Sequence, residues 1–415
     1  MSRADPHAPA TSSTPSNPAV PDAVAPPPRH RRFPLLDGMR ALAVGSVVLV
    51  HVAVFGALEP TFAAKLLLHL NLGVTIFFLI SGFLLYRPFI AHRDGGPEAP
   101  ALSDYARRRF LRIIPAYWLV LSVLVLVPGL TGVSGGEWPQ QYALLQTISF
   151  SGPPSCVTRI LDCGVAHTWS LAVEMTFYAT LPLYVLAAAR IMPGRGSWAW
   201  ARRELGVLAL LSATSVVAHF ALLDGRSDMV VGGTVLAYVL WFALGMGLAV
   251  VSVAVEASPA TPSAARLIGD RPLLPWAVAA AGYALLCWRL PPTPFLFEDA
   301  QRLVVHLAFG TIALLLMLPA VLGDDRGGLP RRVLGAPAVA WIGLISYGIF
   351  LWHYVVTLEL GSAGRGLGFW PLLAATVAIT VPVAAASYYG LERPLLRLKY
   401  RRGASRGPTT ILPRP

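Results

Sequence analysis

Ten apolar runs of helix length follow one another along the chain. They fall at residues 36–58, 67–90, 111–133, 168–192, 205–224, 233–256, 273–290, 303–323, 337–360 and 370–391. A helix of ~20 apolar residues, rising ~1.5 Å per residue, crosses a hydrocarbon core of ~30 Å. Pro and Gly inside several runs are compatible with a bundle, where neighbouring helices satisfy the freed backbone groups. The pattern predicts an all-α fold, a polytopic membrane helix bundle of about ten transmembrane helices, spanning residues 34–396. Residues 1–33 are rich in Pro, Ala and Ser and close on Arg29, His30, Arg31 and Arg32. They cannot bury a core and are expected to form a disordered cytoplasmic tail. With no early apolar region, they do not read as a signal peptide. Residues 397–415 read as a short basic cytoplasmic tail.

Composition agrees with this pattern. The 415 residues are 55% hydrophobic and 13% charged, against ~25% charge in a soluble domain. The net charge of +12 gathers in short loops. With the N-terminus in the cytoplasm, only Lys65, Arg159, Arg226, Arg289, Arg302 and Arg365 fall outside, and the other 27 of the 33 Lys and Arg fall inside. That asymmetry is membrane topology rather than nucleic-acid binding. It argues for both termini on the cytoplasmic side of the inner membrane. It also places Cys156 and Cys163 outside, where a disulfide persists; two unpaired thiols are the alternative. Cys287 lies in a span. No Cys or His spacing suits zinc, so no metal site is expected.

Two constellations carry candidate chemistry. His51, Glu174 and His353 each lie six or seven residues from the outer end of a span, ~10 Å below the outer surface. Ionisable groups inside spans are costly and mark functional paths. A carboxylate beside an imidazole fixes its tautomer and raises its basicity, as a general base requires. The same three groups would also serve a structural polar network. The second constellation is RRRFLR, with Arg107, Arg108, Arg109 and Arg112 at the inner end of the third run. Arg109 and Arg112 share a helix face, and Arg40 enters the first span at a similar level. Guanidinium forks suit phosphate oxygens. Positive-inside topology with lipid phosphate contact is the alternative, preferred for Arg107 and Arg108. In the second run, Gly73, Ser81 and Gly82 favour close helix packing, and Asn71 and Ser81 offer hydrogen bonds inside the bundle. His69 and His167 read as interfacial residues; His219 and His306 sit in no recognisable motif.

Taken together, these segments resemble the membrane-bound acyltransferase 3 family, O-acyltransferases that decorate bacterial glycans, lipids and antibiotics. The resemblance rests on LDGMRALAVGSVVLVH, GVTIFFLISGFLL, RFLR, HTWSLAVEMTFY, ISYGIFLWHYVV and the closing Glu392, Arg393 and Pro394. It implies a cytoplasmic acyl-CoA donor, usually acetyl-CoA, and no permanently bound cofactor. It implies that His51 is the catalytic histidine and Arg40 its motif partner, with Arg109 and Arg112 as the paired arginines. Glu174 matches the acidic residue of SLxxE. On this reading, CoA phosphates dock on Arg40, Arg109 and Arg112, and His51, assisted by Glu174, deprotonates an acceptor hydroxyl; a ping-pong route with acyl-His51 as intermediate fits equally well. Ser170, Tyr347 and His353 are candidate oxyanion donors. The expected acceptor is a surface glycan, a glycolipid or a glycosylated metabolite. Many relatives carry a fused extracytoplasmic domain; this chain is expected to act without one. The rival reading is a membrane transporter of an anionic or glycosylated solute, which would also place polar groups at mid-depth.

Overall fold

The computed structural model describes residues 31–56, 58–127, 138–146, 165–191, 198–221, 234–258, 262–292, 299–323, 327–362 and 367–397. Cys156, Cys163 and most of both tails lie outside them. No strand occurs among the described residues. The elements in order are α1 (Leu35–Phe55), α2 (Phe62–Leu68), α3 (Leu72–Arg93), α4 (Leu102–Leu126) and α5 (Trp138–Tyr142). A 3-10 turn, Ala166–Thr168, leads into α6 (Trp169–Ile191), α7 (Trp198–Ala221), α8 (Val235–Ala257) and α9 (Ser263–Asp270). Then come α10 (Leu273–Arg289), α11 (Asp299–Val321), α12 (Gly328–Leu334), α13 (Pro337–Leu344), α14 (Ser346–Ser362) and α15 (Phe369–Ser387). A π turn, Tyr388–Glu392, and α16 (Arg393–Arg397) close the fold.

The chain forms an all-α membrane bundle. Among the described residues, seven helical segments are long and apolar enough to cross a bilayer, or eight if the bent pair α13–α14 counts as one span. The expected ten are not reached by that measure. The seventh run forms α10, which is only 17 residues long. The fifth forms α7, which is not among the segments counted. The ninth run is not one helix: it bends by 71° at Ile345, between α13 and α14.

Helix α1 sits at the centre. It packs against α2, α3 and α11 to α15, and Met39, Ala43, Val44, Val47 and Val52 are buried. Where apolar side chains meet apolar lipid, helices associate through close backbone approach rather than burial. Gly82 of α3 lies on the Phe242 carbonyl and Gly245 of α8 on the Leu79 carbonyl; a Cβ at either would come within 2.2 or 2.1 Å of that oxygen. Gly343 of α13 lies on the Asp37 backbone in the same way, with 1.8 Å for a Cβ. That contact fixes the first turn of α1 and so the level at which Arg40 emerges.

Two arginines near the end of α3 are matched to carboxylates. Arg93 pairs at 3.0 Å with Glu204 of α7, which is fully buried and also accepts from the hydroxyls of Tyr86 and Tyr184. Arg87 pairs at 2.5 Å with Glu256 of α8, donates to Ser252 at 3.1 Å and lies over the Phe33 ring.

Candidate active site

A cleft lies between α1, α3, α4, α6 and α14. Arg40, Arg109 and Arg112 all line it. Arg109 and Arg112 reach it together because they are one turn apart on α4. Arg40 is held by Asp37, one turn earlier on α1, through a 2.6 Å ion pair. No carboxylate forms an ion pair with Arg109 or Arg112 among the described residues. The Arg109 guanidinium lies 5.7 Å from the centre of the Tyr178 ring, and its Nε is buried without a hydrogen-bond partner among the described residues. Glu174 lines the same cleft, and one of its oxygens accepts from both Ser81 and Tyr178. The bend at Ile345 brings Ser346 and Tyr347, the first residues of α14, into the wall.

Behind one wall of the cleft stands a group of imidazoles. His51 Nδ1 lies 2.8 Å from the Val47 carbonyl and 3.0 Å from His353 Nε2. His353 Nδ1 lies 3.0 Å from the Ile349 carbonyl and 2.7 Å from that of Phe350. His167, on the 3-10 turn before α6, completes the group at 5.1 Å from His353 between ring centres and stacks on Tyr354 at 5.0 Å. Phe350 joins the two regions. Its ring lines the cleft and packs edge-on against His167 at 4.8 Å, and its carbonyl holds His353. No cluster of His, Cys, Asp or Glu among the described residues is arranged to hold a metal ion.

The structure brings Arg40, Arg109, Arg112, Ser170, Glu174 and Tyr347 to one cleft and joins His51 to His353 beside it. It does not join Glu174 to His51: the carboxylate's partners are Ser81 and Tyr178. The candidate oxyanion donors have backbone partners here. Ser170 donates to the His167 carbonyl at 3.2 Å, Tyr347 to the Ile113 carbonyl at 2.8 Å, and His353 Nδ1 faces two carbonyls. The first residue missed in the sequence is His167, which is buried rather than interfacial; its place at a run end hid it. Asp37 and Tyr178 were also missed, although Asp37 is three residues from Arg40 and Tyr178 four from Glu174, the spacings of neighbours on one helix face. Ser81 does hydrogen-bond inside the bundle, as read, and Gly73 and Gly82 make close backbone contacts.

A family model described as an acyltransferase domain, acyltransferase 3, matches residues 33–390. The chain belongs to this family. It is 25% identical to the putative peptidoglycan O-acetyltransferase YrhL of Bacillus subtilis, over 90% of this chain and 56% of that protein. It is 29% identical to the exopolysaccharide production protein ExoZ of Rhizobium meliloti, over 81% of this chain and 92% of that protein. It is 25% identical to the acyltransferase MdmB of Streptomyces mycarofaciens, over 91% and 95%. The chain thus spans little more than half the length of YrhL, and most of ExoZ and MdmB. No solved structure matches it. Acyltransferase 3 membership favours the acyltransferase reading over the transporter one.

Proposed function

We propose that this protein moves an acyl group, acetyl in the first instance, from cytoplasmic acyl-CoA to a hydroxyl of a carbohydrate-containing acceptor, with His51 as general base. The observation that carries the reading is the adjacency of two chemistries. Three guanidiniums face one cleft, two of them in no ion pair among the described residues, and the Phe350 ring both lines that cleft and packs against His167 of the imidazole group. Unpaired guanidiniums recognise phosphate. Arg40 and His51 are eleven residues apart, ~16 Å along α1. That rise is comparable to an extended pantetheine arm, so phosphates held at Arg40, Arg109 and Arg112 leave the thioester near the level of His51. The basic-residue asymmetry supports an inner-membrane protein with both termini cytoplasmic.

In the reaction, His51 takes the hydroxyl proton as the acceptor oxygen bonds the acyl carbon. The carbon–sulfur bond breaks, and the proton passes to the CoA thiolate. General-base help of this kind is worth ~10²–10⁴-fold. The names of YrhL and ExoZ support a glycan acceptor, and that of MdmB leaves room for a smaller one. The test uses purified protein in nanodiscs, with acetyl-CoA binding and CoA release into water as readouts. Wild type is expected to bind and slowly release CoA, His51→Ala to bind without release, and Arg112→Ala to bind poorly. Wild-type turnover by His51→Ala would discard the mechanism; absence of acetyl-CoA binding by all three would discard the donor.

A further inference from the structure

The imidazole pair has a determinate proton inventory. A neutral imidazole carries one N–H, and which nitrogen holds it follows from the partner of each. His353 Nδ1 lies 2.7 Å from the Phe350 carbonyl and 3.0 Å from that of Ile349. Carbonyls only accept, so the hydrogen is on Nδ1 and Nε2 is a lone pair. That lone pair faces His51 Nδ1 at 3.0 Å, and the Val47 carbonyl faces the same atom at 2.8 Å. Both neighbours of His51 Nδ1 are acceptors, so His51 also carries its hydrogen on Nδ1. A second proton, on His353 Nε2, would reverse the bond and set a His51 Nδ1 lone pair against the Val47 oxygen. What remains is His51 Nε2, unprotonated, the atom a general base needs.

We infer that His353 is a positioning residue that locks His51 in its Nδ1–H tautomer and leaves Nε2 free to take the acceptor proton. The inference rests on His51 being the base. When Nε2 is protonated, the positive charge on His51 is met by the His353 lone pair and the Val47 carbonyl. A neutral imidazole thus does the orienting that a carboxylate does in triads. Glu174, occupied by Ser81 and Tyr178, is not needed for it. His353 passes no proton onward, because its only hydrogen is committed to backbone carbonyls of its own helix. His353 and Tyr354 are fully buried, so the pair is held by packing as well as by hydrogen bonds.

Two variants separate positioning from packing. His353→Phe keeps a ring but removes the lone pair; His353→Gln places a carbonyl oxygen near the lost Nε2 and accepts the same hydrogen. Acetyl-CoA is the probe, with CoA release and acetyl-CoA affinity measured in nanodiscs. His353→Phe is expected to lose roughly 10²-fold or more in kcat at unchanged affinity, and His353→Gln to stay within about 10-fold of wild type. Wild-type turnover by His353→Phe overturns the inference, as does a His353→Gln protein as inactive as His353→Phe. If His51→Ala is inactive while His353→Phe is active, only the positioning role fails. If His51→Ala is itself active, the base assignment fails and takes this inference with it. A measurement on the intact protein guards against variants that do not fold. In ¹⁵N-histidine spectra of the labelled protein in bilayers, the signal lost in His51→Ala is expected to report an Nδ1–H imidazole; an Nε2–H signal there overturns the proposal.

Discussion

The arginines of α3 and those of α4 come from similar stretches of sequence and meet opposite surroundings. Arg87 and Arg93 are each closed against a carboxylate, Glu256 and Glu204, and Arg93 is further covered by Trp200 at 5.6 Å. Arg109 and Arg112 line a cleft and form no ion pair among the described residues. A buried guanidinium with a matched carboxylate ties helices together. Guanidiniums that share one cleft and form no ion pair are placed to hold a polyanionic ligand. Basic residues near span ends are expected from topology alone; the partner, not the charge, separates the structural arginine from the binding one.

The comparison is broken most directly at Glu204. Glu204→Ala removes the carboxylate that Arg93 pairs with and the acceptor of Tyr86 and Tyr184. A loss of ~3–5 kcal/mol is expected, read as a large fall in thermal midpoint and poor recovery of folded protein. Arg112→Ala is expected to do the reverse. Its midpoint should hold, while acetyl-CoA affinity falls by the worth of one charged hydrogen bond, ~1.5–3 kcal/mol, or roughly 10- to 150-fold. Raising ionic strength should weaken acetyl-CoA binding to wild type, and less so to Arg112→Ala, since screening acts on the charge removed. If Arg112→Ala unfolded as readily as Glu204→Ala, the distinction between the two groups of arginines would collapse.

A third change lies between the groups. Tyr178→Phe keeps the ring beneath Arg109 and removes one donor to Glu174, leaving Ser81. A stability loss of ~0.5–1.5 kcal/mol is expected, with acetyl-CoA affinity nearly unchanged. A loss of affinity as large as that of Arg112→Ala would mean that Glu174, not the guanidiniums alone, shapes the donor site.

Much of this was legible in the chain because membrane helices announce themselves. Apolar runs located the helices, and the R-x-x-R spacing placed Arg109 and Arg112 on one face. Depth counting brought His51 and His353 to one level, and they do meet. Depth is a single coordinate, however, and cannot say which side of a helix faces which neighbour. Glu174 was placed at the same depth, yet it turns toward Ser81 and Tyr178. Hydropathy also averages over a run, so the 71° break at Ile345 left no trace in it. That break carries Ser346 and Tyr347 into the cleft and sets the direction of α14, and therefore of His353. His167 was hidden for a related reason: a residue beside a run end looks interfacial until the 3-10 turn folds it beneath Phe350 and Tyr354.

The smallest expected effect sharpens the comparison from the other side. Arg31 also pairs with Glu256, at 2.6 Å, but both partners are substantially exposed, 41% and 37%. Pairing alone would rank this contact beside Arg93–Glu204; burial ranks it far below. Water and salt screen the exposed pair, and holding two long side chains in one geometry costs entropy, so its worth is ~0–1 kcal/mol. Arg87, on the other oxygen of Glu256, keeps that carboxylate matched when Arg31 is lost. Arg31→Ala is therefore expected to move the thermal midpoint by little more than the error of measurement and to leave CoA release unchanged. A clear destabilisation would show that the chain preceding α1 is clamped to α8 through Glu256, and that exposure is the wrong measure for ranking these arginines at the membrane surface.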